Sequence, residues 1–212
     1  MLVCVEATAK RAFASALDWP GWCRSGRDER AALDALADHE QRYSVVACAA
    51  SEQFVTGDLE VIERMVGNAT TTFGAPAIPA TAEGEPSTTA AVQRLAALVA
   101  GAWTVFDQVV AATPQALRKG PRGGGRDRDP MVAHVLAAEH AYAAKIGVHV
   151  PAARGNDPRG IAVQREAILD ALLRAGADPV LTDRGWPPRY AARRVAWHVL
   201  DHAWEMEDRT GS

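Results

Sequence analysis

The stretch AWHVLDHAWEMEDR, residues 196–209, places two of the chain's six histidines four residues apart. On an α-helix, residues i and i+4 lie on one face, so His198 and His202 can point at the same spot. At about 100° per residue, the pair lies between an apolar arc and a charged arc. These arcs are Val195, Val199 and Met206 on one side and Arg194, Asp201 and Glu205 on the other. The position suits a metal site at the edge of a core, and it equally suits an ordinary helix flank.

Working outward from this stretch, the second part of the chain predicts four helices. Asp129–Pro130 and Asp157–Pro158 supply a cap and a first-turn proline, and Gly147 and Gly176 can end the helices that follow. The predicted helices cover residues 88–112, 130–147, 158–175 and 189–209. Because their lengths are similar, they predict an antiparallel four-helix bundle over residues 85–212, a fold whose core often holds metal.

The first part, residues 1–80, predicts a small α+β module, so the fold class of the whole chain is mainly α. Strands are predicted at 2–7, 11–19 and 59–66, and a helix at 28–50 that Asp28 can cap. Residues 73–89 are rich in Pro, Ala and Thr, which makes them the best candidate for a linker.

Composition narrows the functional classes. The net charge of −3 on 212 residues gives no basic footprint, so neither nucleic acid nor an anionic membrane is an expected partner. The three cysteines are widely spaced and form no disulfide framework, and Cys23 reads as an ordinary buried cysteine. The start MLVCVEATAKR is unlike a signal peptide, and no apolar run suggests a membrane span. We therefore expect a cytoplasmic protein.

His134 is the candidate third ligand. It lies among apolar and small residues of the second predicted helix, where a hydrogen-bonded core histidine is the alternative. Three imidazoles with one open position are the pattern of a catalytic metal site rather than a closed structural one. We expect the other histidines, His39, His140 and His149, to lie outside this set.

Two segments carry a resemblance to a known family: VAHVLAAEHAY (132–142) and RRVAWHVLDHAWEMEDR (193–209). They resemble the DinB-like metal-binding four-helix bundles, relatives of mycothiol-dependent maleylpyruvate isomerase and of bacillithiol transferases. The resemblance implies a divalent metal on His134, His198 and His202. Zinc, nickel and iron all accept imidazole ligands. Asp201 and Glu205 flank the pair and can orient an imidazole N–H, unless they form only a solvated acidic face.

Two further segments invite interpretation. The loop RKGPRGGGRDRD (118–129) leads into the helix of His134, and Arg122, Arg126 and Arg128 could hold a substrate carboxylate or phosphate there. A mobile solvated loop is the alternative. Residues 13–39 are faintly similar to HicB-like domains, which implies a module for protein interaction or for covering substrate.

These observations leave several functions open. The first is a metal-dependent S-transferase or isomerase that uses a low-molecular-weight thiol such as mycothiol on a small-molecule substrate. The alternatives are a metal-dependent hydrolase on the same three histidines, a non-catalytic metal or small-molecule binding protein, and a partner-binding protein built around the N-terminal module. A homodimer is possible in each case. A cavity beside the histidines lined by Trp103, Tyr142 or Trp197 would favour catalysis or ligand binding.

Overall fold

The computed structural model describes residues 1–120, 124–174 and 185–210, so the predicted anion ligand Arg122 lies outside the described residues. Within them the chain is mainly α, with seven helices and one four-stranded sheet. The elements in chain order are β1 (Leu2–Ala7), β2 (Ala12–Ala16), β3 (Cys23–Gly26), α1 (Glu29–Asp38), α2 (Glu40–Ala49), β4 (Glu60–Val66), α3 (Ala69–Phe73), α4 (Thr89–Ala112), α5 (Arg128–Ala144), α6 (Pro158–Arg174) and α7 (Pro188–Thr210).

The sheet has the strand order β3-β2-β1-β4. β2 pairs antiparallel with both β1 and β3, whereas β4 pairs parallel to β1. The predicted strands at 2–7, 11–19 and 59–66 correspond to β1, β2 and β4, but β2 ends at Ala16 and β3 was not predicted. Residues 17–22 form a turn between β2 and β3, in which Trp19 and Trp22 are buried.

The predicted helix 28–50 is two helices that meet at His39. The residue has φ −94° and ψ 5°, and its backbone N–H closes the last turn of α1. The break lets α1 pack on β2 and β3 while α2 packs on α4, which one straight helix could not do. Asp28 caps α1 as predicted, because its side chain accepts the N–H of Ala31 at 2.9 Å.

The helices α4 to α7 match the four predicted ones closely. α4 packs on α6 and α7, and α5 packs on α6 and α7. Asp157 accepts the N–H of Gly160 at 2.9 Å, as expected of a cap, whereas Asp129 lies inside α5 and not before it. α4 has the length and mean hydropathy of a membrane-spanning helix, contrary to the expectation that no run would. More than half of that apolar stretch is buried against the rest of the protein, as in a core helix.

The N-terminal elements pack directly on α7. Gly21, at φ +93°, approaches the helix so closely that a Cβ there would lie 2.9 Å from the Cβ of Ala196. Phe13 of β2 meets Trp197 edge to face, with ring centroids 6.0 Å apart. One hydrophobic cluster contains Val3 and Trp22 as well as Leu98 and Leu200, so both parts of the chain share a core. The N-terminal part thereby fixes the helix that carries two of the candidate ligands.

The predicted linker, residues 73–89, is packed rather than free. The carboxylate of Glu6 accepts the N–H of Ala77 at 2.9 Å and that of Ile78 at 3.0 Å. A single 3-10 turn, Thr81–Glu83, follows, and Glu83 forms a buried ion pair with Arg193 of α7. The segment therefore connects the start of α7 to the sheet.

Candidate metal centre

The structure brings His134, His198 and His202 together. α5 supplies His134 and α7 supplies the other two, one turn apart. Each of the three offers a ring nitrogen within 4.8 Å of the others'. The ring centroids are 4.7–5.0 Å apart. This grouping is the one predicted from the sequence, and His39, His140 and His149 are not members of it.

The spacing fits a shared ion. The Nε2 atoms of His134 and His198 are 3.2 Å apart. Two imidazoles on one tetrahedral zinc, with Zn–N near 2.05 Å, hold their nitrogens about 3.3 Å apart. Because all three nitrogens lie within 4.8 Å of one another, a separation need shorten by no more than about 1.5 Å to complete a set of three, which would leave a fourth position for another ligand. The residues present therefore fit a divalent metal.

The surroundings of His134 and His198 favour the neutral imidazole, which is the form that binds metal. Burial, with His202 and His134 close by, lowers the pKa of His198 to about 2. Burial also lowers the pKa of His134, and the positive charge of Arg126 adds to the effect. With His198 only 7% exposed, the cluster opens to solvent on the side of His134 and His202.

Glu205 contacts one of the three histidines. Its carboxylate accepts the Nδ1–H of His202 at 3.0 Å, which leaves Nε2 of that ring with its lone pair free. The other carboxylate oxygen accepts from Arg209 at 2.7 Å. The hydrogen bond from His202 is the main cause of the lowered pKa of Glu205.

Asp201 has a different role from the predicted one. Its carboxylate accepts from Arg24 of β3 at 3.0 Å instead of from an imidazole. The pair joins the sheet to α7 just beside the histidines, since Asp201 precedes His202. Asp201 therefore positions the helix, and the prediction that it orients a ligand is not supported by this contact.

In its described residues, the basic loop supplies fewer free cations than its sequence suggests. Arg128 donates to Asp129 and to the carbonyl of Thr113, so its guanidinium is engaged within the protein. Lys119 pairs with Asp127 at 2.5 Å. Arg126 is exposed and lies near enough to His134 and His198 to lower the pKa of both. Of the predicted anion ligands in the described residues, Arg126 is the one whose charge lowers the pKa of these histidines.

Two of the three predicted aromatic residues lie next to the histidines. Tyr142 and Trp197 have ring centroids 5.8 Å and 5.9 Å from that of His198. Trp103 belongs elsewhere, since its indole N–H donates to the buried carboxyl of Glu139. Two grooves that run along α5 beside Val132 have volumes of about 450 Å³ and 400 Å³, and none of the three histidines lines them. Cys23 is buried as expected, and burial raises its pKa to about 12.

Glu139 predicts a pH dependence of stability. Burial raises its pKa from 4.5 to about 7, against the opposing charge of Arg165. The folded state thus binds this proton more tightly than the unfolded chain, so stability present below pH 4.5 is lost as the pH rises toward 7. One pKa unit corresponds to about 1.4 kcal/mol. We expect Glu139→Gln, which still accepts from Trp103, to remove much of this loss.

The measurement is the free energy of unfolding in urea at pH values from 4.5 to 8. The exposed Glu166→Gln on α6 is the control and should follow the wild-type curve. Parallel curves for the wild type and Glu139→Gln would contradict the expectation.

Sequence reasoning missed Arg194 as a functional candidate. The helical wheel places Arg194 on the charged arc of the helix, yet its side chain is only 5% exposed. It lies one turn before His198, and its charge contributes to the low pKa of that histidine. No signal in one sequence distinguishes it from a solvated arginine, because its burial depends on Tyr142 and Trp186 from other parts of the chain.

No protein-family profile, curated protein or solved structure matches this chain. The resemblances to the DinB-like and HicB-like families therefore still rest on the residues quoted for them above. The geometry of the three histidines is an observation that stands apart from both resemblances.

Proposed function

We propose that the chain is a DinB-like, divalent-metal-dependent enzyme in which α4 to α7 form the antiparallel four-helix bundle of that family. The observation that carries the proposal is the cluster of His134, His198 and His202, with two Nε2 atoms 3.2 Å apart. Supporting it, Glu205 accepts from Nδ1 of His202, which leaves Nε2 of that ring as the nitrogen available to a metal.

Each residue would have a distinct task. The three imidazoles would hold the metal, and Glu205 would keep the tautomer and orientation of His202. Arg24 and Asp201 would fix the register of α7 against the sheet. A bound divalent ion supplies Lewis acidity and lowers the pKa of a thiol or water that coordinates it. Arg126 at the exposed side would attract anionic reactants.

Among metal-dependent reactions, we propose transfer of a low-molecular-weight thiol such as mycothiol to an electrophile, or isomerisation assisted by that thiol. The choice of a thiol as reactant comes from the family resemblance. The three-histidine geometry is compatible with this choice because a site with three protein ligands leaves one coordination position open. Arg126, with its positive charge beside the histidines, would also favour a thiolate over a thiol at this place.

The test is thiol conjugation measured with 1-chloro-2,4-dinitrobenzene, in which the thiolate sulfur bonds to the ring and chloride leaves. Protein loaded with zinc, nickel or iron(II) is assayed with mycothiol, cysteine and glutathione. We expect the rate to depend on metal. His202→Ala should lower the rate at least about 100-fold, which is the upper end of the loss caused by removing a residue that only supports a metal ligand. The exposed His149→Ala is the matched control and should keep the wild-type rate.

A metal-dependent rate with an activated ester and no thiol would instead indicate the hydrolase. A rate that His202→Ala leaves unchanged would contradict the proposal that these histidines support catalysis.

A further inference from the structure

Arg194 has a buried guanidinium that the described residues do not neutralise. Nη2 donates to the hydroxyl of Tyr142 at 3.0 Å, while Nε and Nη1 are buried without a hydrogen-bond partner. Nε carries one N–H and Nη1 carries two, so three of the five donors are unfilled. Within the described residues, Arg194 also has no ion pair with a carboxylate. A buried cation in this state is costly and calls for an explanation.

Its neighbour in sequence shows what a satisfied arginine looks like in this fold. Arg193 is equally buried, but it meets the carboxylate of Glu83 with two hydrogen bonds, of 2.6 Å and 2.8 Å. It also donates to the carbonyl of Ile78. The structure therefore supplies acceptors to all three guanidinium nitrogens of one buried arginine of α7 and a single hydroxyl to the next.

Aromatic rings surround the unfilled donors. The guanidinium carbon of Arg194 is 4.9 Å from the ring centre of Trp197, 5.1 Å from that of Tyr142 and 5.9 Å from that of Trp186. Contacts of this kind stabilise a cation but do not fill its hydrogen bonds. Tyr142 and Trp186 are only partly buried, so they form the side of this cluster that is nearest to solvent.

The position of this cation relates it to the three histidines. Arg194 lies one helical turn before His198, and the ring of Tyr142, which accepts from Arg194, is 5.8 Å from the ring of His198. A group bound to the free donors would therefore place the rest of its molecule beside the histidine cluster. The positive charge of Arg126 also acts on His198.

We propose that Arg194 is a subsite for a carboxylate of the substrate, bounded by Tyr142, Trp186 and Trp197. The planar guanidinium matches a carboxylate with two parallel hydrogen bonds, and the aromatic walls suit a flat organic body rather than a bare inorganic anion. The inference rests on the proposed function, since it names the substrate class of the same site. It makes Arg194 a binding residue that recognises the substrate.

The experiment uses metal-free full-length protein, so that a carboxylate cannot bind through a metal. The probe is 4-fluorobenzoate, followed by fluorine NMR line broadening, with neutral 4-fluorobenzamide as the matched ligand. We expect the wild type to bind the acid at least tenfold more tightly than the amide. Arg194→Met should abolish this preference, and Arg194→Lys should lose most of it because an ammonium cannot form the paired hydrogen bonds.

Arg189→Met is the control variant, since it removes one positive charge from α7 at a residue that pairs with Asp18. It should keep the wild-type preference. If Arg194→Met does not fold, Arg194→Lys decides the question, and an unchanged preference there overturns the proposal. A wild type without preference for the acid overturns the proposal as well. So does tighter binding of inorganic phosphate than of 4-fluorobenzoate.

The metal content of Arg194→Met is measured separately after reloading and should equal that of the wild type. If the wild type binds no metal, the proposed function fails, yet the preference for the carboxylate is still read in the metal-free protein. The two failures are therefore distinguishable.

Discussion

Glu83→Gln is expected to lower the free energy of unfolding by about 3–5 kcal/mol, the usual cost of removing one partner of a buried ion pair. Glu83 and Arg193 are each 2% exposed, and their two hydrogen bonds are 2.6 Å and 2.8 Å long. The amide would leave the charge of Arg193 buried and uncompensated. It would also weaken the contact that Glu83 makes with the N–H of Ala80.

The loss should be measured by urea unfolding, with the exposed pair of Glu29 and Arg64 as reference. Glu29→Gln removes a surface ion pair and should lower the free energy of unfolding far less than Glu83→Gln does. Replacing both members of the buried pair, in Glu83→Leu/Arg193→Met, should recover much of the loss, because no lone charge remains. A cost for Glu83→Gln as small as that for Glu29→Gln would contradict this account of the pair.

The pair matters for function because of what it joins. Glu83 lies within the segment 73–89 that the sequence predicts as a linker, and Arg193 lies five residues before His198 on α7. Together with Arg24 and Asp201, the pair ties both halves of the site helix to the N-terminal part. We therefore expect variants that loosen this attachment to weaken the histidine cluster even though they touch none of its members.

Local sequence predicted the helices well because their signals are local. Proline after aspartate marks the start of α6, and apolar spacing marks α4 and α7. The strand β3 was not predicted because its four residues, Cys23–Gly26, show no alternation of their own. They are held in place by pairing with β2. The break at His39 was not predicted either, because it depends on the elements that α1 and α2 pack against and not on local sequence.

The candidate site also contains residues that local sequence predicts and residues that depend on contacts between distant parts of the chain. The spacing of His198 and His202 and the position of Glu205 on the next turn could be predicted from one helix. His134 lies on another helix, so its membership depends on which helix faces α7; its small and apolar neighbours made it the candidate, and the family resemblance implies the same residue. The contacts of Arg194 with Tyr142 and of Arg24 with Asp201 join residues 52 and 177 positions apart, so no helical wheel could reveal them.

The second large effect is expected in metal binding. His198→Ala/His202→Ala removes two of the three imidazoles and leaves His134 alone, which cannot hold a divalent ion in competition with water. We expect stoichiometric metal in the wild type and none above background in the double variant. The fold should persist, because His202 and His134 are partly exposed and His198 makes its hydrogen bond within the cluster.

His140→Ala/His149→Ala is the matched control, since it removes two histidines that are not members of the cluster. Its metal content should equal that of the wild type. Circular dichroism of all three proteins would show that helix content is retained, so that a loss of metal reports on the site and not on unfolding.

The most direct test of the account is elemental analysis of tag-free protein, as purified and after exposure to zinc, nickel or iron(II), followed by removal of free metal. The account predicts about one metal ion per chain in the wild type and in His140→Ala/His149→Ala, and none in folded His198→Ala/His202→Ala. A wild type that holds no metal after each exposure, or a double variant that holds as much as the wild type, would contradict it.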